Sequence, residues 1–315
     1  MPKLIVTAAV TGAIHVPSLS PYLPLTPDQI VEDAVKANAA GAAVVHVHAR
    51  DPQTGRPSSD LNLFREIAGK ISARCDVVVC VTTGGGLGMT PEERVKPISV
   101  LRPELASLNA GSINFAIYHL ANKIKQPRFD WELPYLNMTE DFIFPNTFKT
   151  LKYYAKSMQE AGTRPELEIY DTGMINNIKH LIDLGVMKPP IYMQFVLGIL
   201  GAIPATVQNL VFLHETAVRT LGEKNFVWSA CAAGKAQLPL MAVTMAMGGN
   251  TRVGLEDNLY VGPGQLAKSS AEQVARVVTM ANQLSLEIAS PDDARAILGL
   301  KGKNQTGWAA AAAAK

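Results

Sequence analysis

The residues most able to do chemistry stand in VVHVHARDP, residues 44–52. His46 and His48 are separated by one valine. In an extended chain that period of two puts both imidazoles on one face, while Val45 and Val47 point the other way. Two imidazoles side by side suit a divalent ion such as zinc. The plain alternative is a pair of hydrogen-bonded core histidines. A third ligand is available in RVGLEDN, residues 252–258, where Arg252, Gly254 and Glu256 share parity. Glu256 falls at the end of that strand, and Gly254 would leave space below it. Asp257 reaches the same pocket only if the strand has ended before it. Two imidazoles, one carboxylate and an open position form a catalytic zinc set. The competing reading of Glu256–Asp257 is a solvated acidic turn.

Other polar groups sit at the ends of apolar runs. TTGGGLG, 82–88, joins threonine hydroxyls to glycine N–H groups that can approach an anion closely. SLNAGSINF, 107–115, offers Ser107, Asn109 and Ser112. In ELEIYDTGM, 166–174, Glu166 and Glu168 share one parity and Asp171 takes the other. Asp171 lies nearest the carboxyl end and is the acid expected in the pocket. Lys235 follows a seventh run, and Arg50 and Asp51 mark where the second strand leaves the sheet.

The elements that must hold these groups are legible. Short β-branched runs occupy 4–10, 42–49, 76–83, 104–111, 165–171, 191–197, 226–231 and 250–256. Each is apolar and bounded by turn residues, as strands buried on both faces are. Helices between them carry start signals. TPDQ at 26–29 and TPEE at 90–93 read as capping boxes with proline at the first helical position, and Gly41 ends the first helix. SAEQ at 270–273 and SPDD at 290–293 open two more. Eight strands alternating with helices predict a (β/α)8 TIM barrel, with catalytic groups at the strands' carboxyl ends. A doubly wound open sheet is the alternative, weakened because no G-x-G-x-x-G follows the first strand. The expected organisation is one domain over 1–315, with an insertion at about 116–146 as a lid or oligomer contact. A tail at about 303–315 ends in low-complexity GWAAAAAAK.

Composition excludes several classes. Net charge is +2 without a Lys/Arg block, so nothing marks a nucleic-acid or anionic-membrane partner. The longest apolar run, 191–205, is short for a membrane span and contains Gln194 and Pro204. Three cysteines, Cys75, Cys80 and Cys231, make no disulfide framework and fit a reducing cytoplasm. The N-terminal MPKLIVTAAVTGAI reads as a first strand rather than a signal peptide.

HVHARD, TTGGG, SLNAGSINF, IYDTGM, QFVLG and RVGLEDN, in this order, resemble the beta-keto acid cleavage enzymes, typified by 3-keto-5-aminohexanoate cleavage enzyme. The resemblance runs from TAAVTGA through DDARAIL. It implies a zinc-dependent (β/α)8 barrel and a homo-oligomer, usually a tetramer. It implies condensation of a β-keto acid with acetyl-CoA, releasing acetoacetate and an acyl-CoA. The implied zinc ligands are His46, His48 and Glu256, and the implied acid–base pair is Asp257 with Arg252. Thr82, Gly84, Gly85 and Ser107 match the region that holds the keto acid's carboxylate. Two positions depart from the type: Ile14 stands where a glutamate holds the substrate's amino group, and Asp171 matches a second such glutamate. A less cationic or apolar β-keto acid is therefore expected, with Asp171 still permitting a cation.

Two other functions fit parts of the pattern. An amidohydrolase-type metal hydrolase also carries H-x-H on a barrel strand, but on the first strand and with later metal histidines. Here His119, His180 and His214 fall in helical or connecting segments. A non-catalytic metal- or ligand-binding barrel would have no use for Arg252 beside Asp257.

Overall fold

The computed structural model describes residues 3–309. Eight parallel strands close into a barrel in chain order: β1 Val6–Ala9, β2 Val44–Val47, β3 Val78–Val81, β4 Leu105–Asn109, β5 Arg164–Ile169, β6 Ile191–Leu197, β7 Phe226–Ala232 and β8 Asn250–Val253. β8 pairs back onto β1. The expected TIM barrel is the observed fold.

Helices follow the strands as α1 Pro27–Ala39, α2 Leu61–Arg74, α3 Pro91–Leu101, α4 Phe148–Ala161, α5 Thr172–Asp183, α6 Val207–Leu221, α7 Gln237–Ala246 and α8 Ser270–Gln283. The start signals act as their chemistry demands. Thr26 with Gln29, Thr90 with Glu93 and Ser290 with Asp293 form reciprocal capping boxes. In α8 the cap lies one residue earlier than expected: Ser269 accepts from the Glu272 amide, and Ser270 is already helical. Ser270 is held from below instead, its amide donating to Asp33 at 3.0 Å.

Alternation sorts each strand between two cores. Val45 and Val47 pack outward with the helices, whereas Ile5, Val44, Val78, Leu105 and Tyr192 fill the bottom of the barrel. His46 lies one step above Val44, level with Cys80 in the register, and His48 one step higher. The inward face thus changes from apolar to polar on moving toward the carboxyl ends.

The strands are shorter than the apolar runs, and where they stop matters. β8 ends at Val253 rather than 256, because Gly254 adopts φ +143° and its α-carbon faces the Ala9 backbone. A Cβ there would lie 2.1 Å from the Ala9 oxygen, so Gly254 serves a close backbone approach rather than space beneath Glu256. β2 likewise ends at Val47, and Ala49–Arg50 turns out to pair antiparallel with Pro57–Ser58.

Arg50 then becomes a clamp. It is fully buried, and its guanidinium donates to Thr11 Oγ1 at 2.8 Å and to the carbonyls of Gly55, Thr11, Gly12 and His15 at 2.8–3.1 Å. It therefore shapes the loop after β1. The insertion forms a roof: its short helix Glu132–Asn137 brings the Tyr135 hydroxyl to the Ala13 carbonyl at 2.9 Å. Trp131 donates to the Thr54 carbonyl at 3.0 Å. The tail docks at least as far as Trp308, which is buried in the core; residues 310–315 lie outside the described residues.

Arg50→Met should strand four buried carbonyls, each at a cost of about 1–3 kcal/mol. A loss of roughly 3 kcal/mol or more is expected, read as a lower denaturant midpoint with unchanged slope. A midpoint equal to that of the wild-type chain would remove Arg50 as the clamp.

Candidate active site

The carboxyl ends of β2 and β8 meet across β1. The His46 and His48 rings stand edge to face with centroids 5.1 Å apart. Nε2 of His46 lies 3.7 Å from Glu256 Oε2, and Nε2 of His48 lies 3.4 Å from Glu256 Oε1. All three side chains are buried and their ligand atoms fall within 4.8 Å of one another. Because the strand has ended at Val253, the turn that follows delivers both Glu256 and Asp257 to one pocket. Room for Glu256 comes from Gly12, at φ +63°, where a Cβ would sit 2.3 Å from Glu256 Cγ.

Arg252 ties this end of the barrel together. It grips Asp257 in bidentate fashion, Nε to Oδ2 and Nη2 to Oδ1, both at 2.9 Å. It also meets Glu256 Oε1 at 2.8 Å, Gln194 Oε1 at 3.0 Å and Glu168 Oε1 at 3.4 Å. Glu168 takes further bonds from Asn109 at 2.7 Å and the Tyr170 hydroxyl at 3.1 Å.

The electrostatics follow from burial against charge. Burial works to raise Glu256, but Arg252 and the two imidazoles outweigh it and hold the carboxyl well below the usual range. Burial pushes Asp257 up to about 6 against the pull of Arg252. The expected pairing is present, yet desolvation rather than Arg252 sets its basicity. The result is a carboxylate better matched to accepting a proton near neutral pH than a surface one. Burial holds His46 well below its usual value, which keeps its imidazole neutral, the form that ligates metals.

The three residues fit a divalent cation. Glu256 Oε2 is buried without a hydrogen-bond partner and faces His46. Two ionised carboxylates beside one guanidinium leave negative charge uncompensated in a buried place. A second group, His46 with Cys80 and Glu166, lies just beneath and shares His46.

The other expected residues separate. Thr82, Gly84, Gly85 and Ile14 line the inner chamber with His46, His48 and Glu256. Thr82 Oγ1 accepts the Gly84 amide at 2.8 Å, bending the loop toward the site. Ser107 faces inward but is engaged with Thr83, whose amide and hydroxyl bond its Oγ and carbonyl. It shapes the glycine loop from beneath, and Asn109, two residues on, lines the chamber instead. Arg94 fixes the same loop, its Nε donating to the Thr83 carbonyl at 2.6 Å.

Asp171 is not in the pocket. It is exposed and caps α5, accepting the Gly173 amide at 3.1 Å. The strand-five acid of the chamber is Glu168, three positions inward on the opposite parity. The shared parity of Glu166 and Glu168 was the signal for this. Nearness to the strand end was the weaker guide, because β5 stops at Ile169 and Asp171 already belongs to the helix. Lys235 is exposed on the wall of an outer groove of about 870 Å³ that opens from Glu256 and Asp257. His119 lies in a connecting turn on that groove, and His180 and His214 lie on α5 and α6, away from the barrel interior.

Residues 3–300 match the family model described as beta-keto acid cleavage enzyme. The chain belongs to the beta-keto acid cleavage enzyme family. It is 46% identical over 306 residues to the 3,5-dioxohexanoate:acetyl-CoA acetone transferase of Paraburkholderia graminis, covering 97% of this chain and 98% of that one. It is 37% identical to the 3-keto-5-aminohexanoate cleavage enzyme of Fusobacterium nucleatum, covering 96% and 99%. A solved structure of ObcA with oxaloacetate shares the fold at a TM-score of 0.68 and 21% identity, over 89% of this chain and 68% of that one.

As a beta-keto acid cleavage enzyme fold, the chain depends on Gly12 to seat Glu256. Gly12→Ala is expected to displace that side chain and lower the zinc retained after equilibration with the ion to well under one per chain. His46→Ala should do the same while circular dichroism stays that of a folded barrel. Full zinc by elemental analysis in either purified variant would overturn the ligand set.

Proposed function

We propose that this chain transfers an acyl group from a β-keto acid whose acyl part carries no charge, in a reaction with acetyl-CoA that gives acetoacetate and a new acyl-CoA. The observation that carries the reading is the bidentate Arg252–Asp257 pair set beside His46, His48 and Glu256 at one end of the barrel. A simple binding barrel gives that buried base no task. The names of the two relatives, an acetyl-CoA acetone transferase and a keto acid cleavage enzyme, support it.

Zinc held by His46, His48 and Glu256 would act as a Lewis acid on the keto acid's oxygens, acidifying the methylene between its two carbonyl groups. Asp257 then takes a proton from that methylene, oriented by Arg252. The carbanion attacks the acetyl-CoA carbonyl, and the CoA thiolate leaves. The thiolate adds to the original keto carbon, and the bond to the methylene carbon breaks. That releases acyl-CoA, and the carbanion of acetoacetate regains its proton from Asp257. Atoms and charge balance with no other reactant. Thr82, Gly84 and Gly85 would receive the keto acid's carboxylate, with Ser107 setting the loop. The outer groove, apolar along Ile199 and Leu238 and fringed by Lys123, Lys235 and Arg276, suits a pantetheine arm with its phosphates outward.

Substrate choice follows from the chamber wall. Ile14, Leu87, Phe115, Phe144 and Tyr170 line it. Its one further acid, Glu168, is already met by Arg252, Asn109 and Tyr170. With Asp171 outside, no free anion awaits a substrate cation. The proposal extends to a homotetramer in the cytoplasm. Exposed Phe148, Val207 and Phe212 support contact between copies, and the three free cysteines support a reducing compartment. Among the described residues no helix is long and apolar enough to cross a membrane.

A panel of β-keto acids with zinc and acetyl-CoA tests the reading. Acetoacetate and a new acyl-CoA should form in equal amounts, faster in kcat/KM for neutral acyl groups than for ammonium-bearing ones. Cleavage that proceeds without acetyl-CoA would overturn acyl transfer; preference for a cation would overturn the substrate class. Asp257→Asn should keep its zinc and lose about 10²–10⁴-fold in kcat. Near-native turnover in that variant would remove Asp257 as the base.

A further inference from the structure

Beneath the histidines lies a sealed polar layer that the proposed reaction does not use. Glu166 projects inward from β5, one step below Glu168, facing Ser107 and Tyr192 in the register. It is fully buried, and neither carboxyl oxygen has a hydrogen-bond partner. His46 Nδ1, the Tyr192 hydroxyl and Thr7 Oγ1 are also buried and unpartnered. One ring nitrogen of His46, Cys80 Sγ and one Glu166 oxygen lie within 4.8 Å of one another. Since His46 Nε2 faces Glu256 above, the nitrogen left toward this layer is Nδ1.

We infer that Glu166 is the positioning residue of His46, accepting its Nδ1–H across one bridging water. This rests on the reading that His46, His48 and Glu256 hold the metal. The physical demand is plain. A neutral imidazole carries one hydrogen, and Nε2 can present a lone pair only if that hydrogen sits on Nδ1. A buried N–H with no acceptor costs about 1–3 kcal/mol, so the ligating tautomer is disfavoured unless something beneath accepts. Of the groups in the layer, a carboxyl keeps an acceptor oxygen whether or not it is protonated, and the Cys80 sulfur is a poor one. The two groups lie within 4.8 Å of each other yet make no direct bond, a gap that a single water can bridge, with the unpartnered Tyr192 hydroxyl in the same layer. Metal-ligating histidines generally have such an outer partner, and its loss weakens metal binding about 10–100-fold.

The test is zinc affinity of the full chain, measured by competition with a chromophoric chelator well below the melting temperature. Glu166→Met removes the acceptor at similar volume and should weaken zinc about 10–100-fold. Glu166→Gln keeps a carbonyl acceptor and should recover most of that loss; Cys80→Ala should bind as the wild-type chain does. A folded Glu166→Met chain with wild-type affinity overturns the inference, as does an equal loss in Glu166→Gln and Glu166→Met, or a loss confined to Cys80→Ala. If the wild-type chain itself binds no zinc, the ligand assignment fails instead, which is a distinct result. A zinc-loaded crystal structure gives a second readout should Glu166→Met not fold. Density for one water between Glu166 and His46 Nδ1 is expected; Nδ1 turned to any other acceptor overturns the inference.

Discussion

The site depends on one buried guanidinium. Arg252 is enclosed at the barrel's carboxyl end and is shared by Asp257, Glu256, Glu168 and Gln194. Burying so many charges is costly unless each is paired and hydrogen-bonded. Arg252 makes the arrangement tolerable because its planar fork serves several acceptors in fixed directions. It also sorts the carboxylates. Glu256, closest to two imidazoles, is held low, whereas Asp257, with fewer positive neighbours, is pushed up by desolvation. One environment thereby drives two adjacent carboxyls in opposite directions, as the metal ligand and base proposed for them require.

Everything around that cluster works to let it exist. Gly254 allows β8 to stop early against Ala9, and the resulting turn points residues 256 and 257 the same way. Gly12 gives Glu256 its volume, and Arg50 holds the loop that carries Gly12 through three of its backbone carbonyls and ties it to Gly55 of the hairpin after β2. The roof, through Tyr135 and Trp131, covers the same loop and the hairpin after β2. Such a cradle restricts solvent, which strengthens each electrostatic contact within it.

In the proposed reaction the outer parts of the pocket would set preference rather than reactivity. Ile14 lies on the wall of both the chamber and the groove, so one apolar residue borders both proposed binding regions. Glu168 resembles a cation site by residue type, yet its partners already satisfy it. Residue identity alone overstates what an acid can offer; its hydrogen bonds decide.

The sequence alone determined what local physics controls. Alternation placed Val45 and Val47 outward and both histidines inward, the capping boxes marked helix starts, and eight strand–helix repeats specified a barrel. The motif order carried the family and with it His46, His48, Glu256, Arg252 and Asp257. Tertiary structure decided what depends on contacts across the chain. Strand ends came from backbone approaches such as Gly254 on Ala9, which no single run encodes. That is why Glu168 rather than Asp171 faces the chamber, and why Ser107 serves the glycine loop. Arg50 and Glu166 stood out in the sequence without a role; five hydrogen bonds gave the first its meaning, and two buried, unpartnered oxygens gave the second.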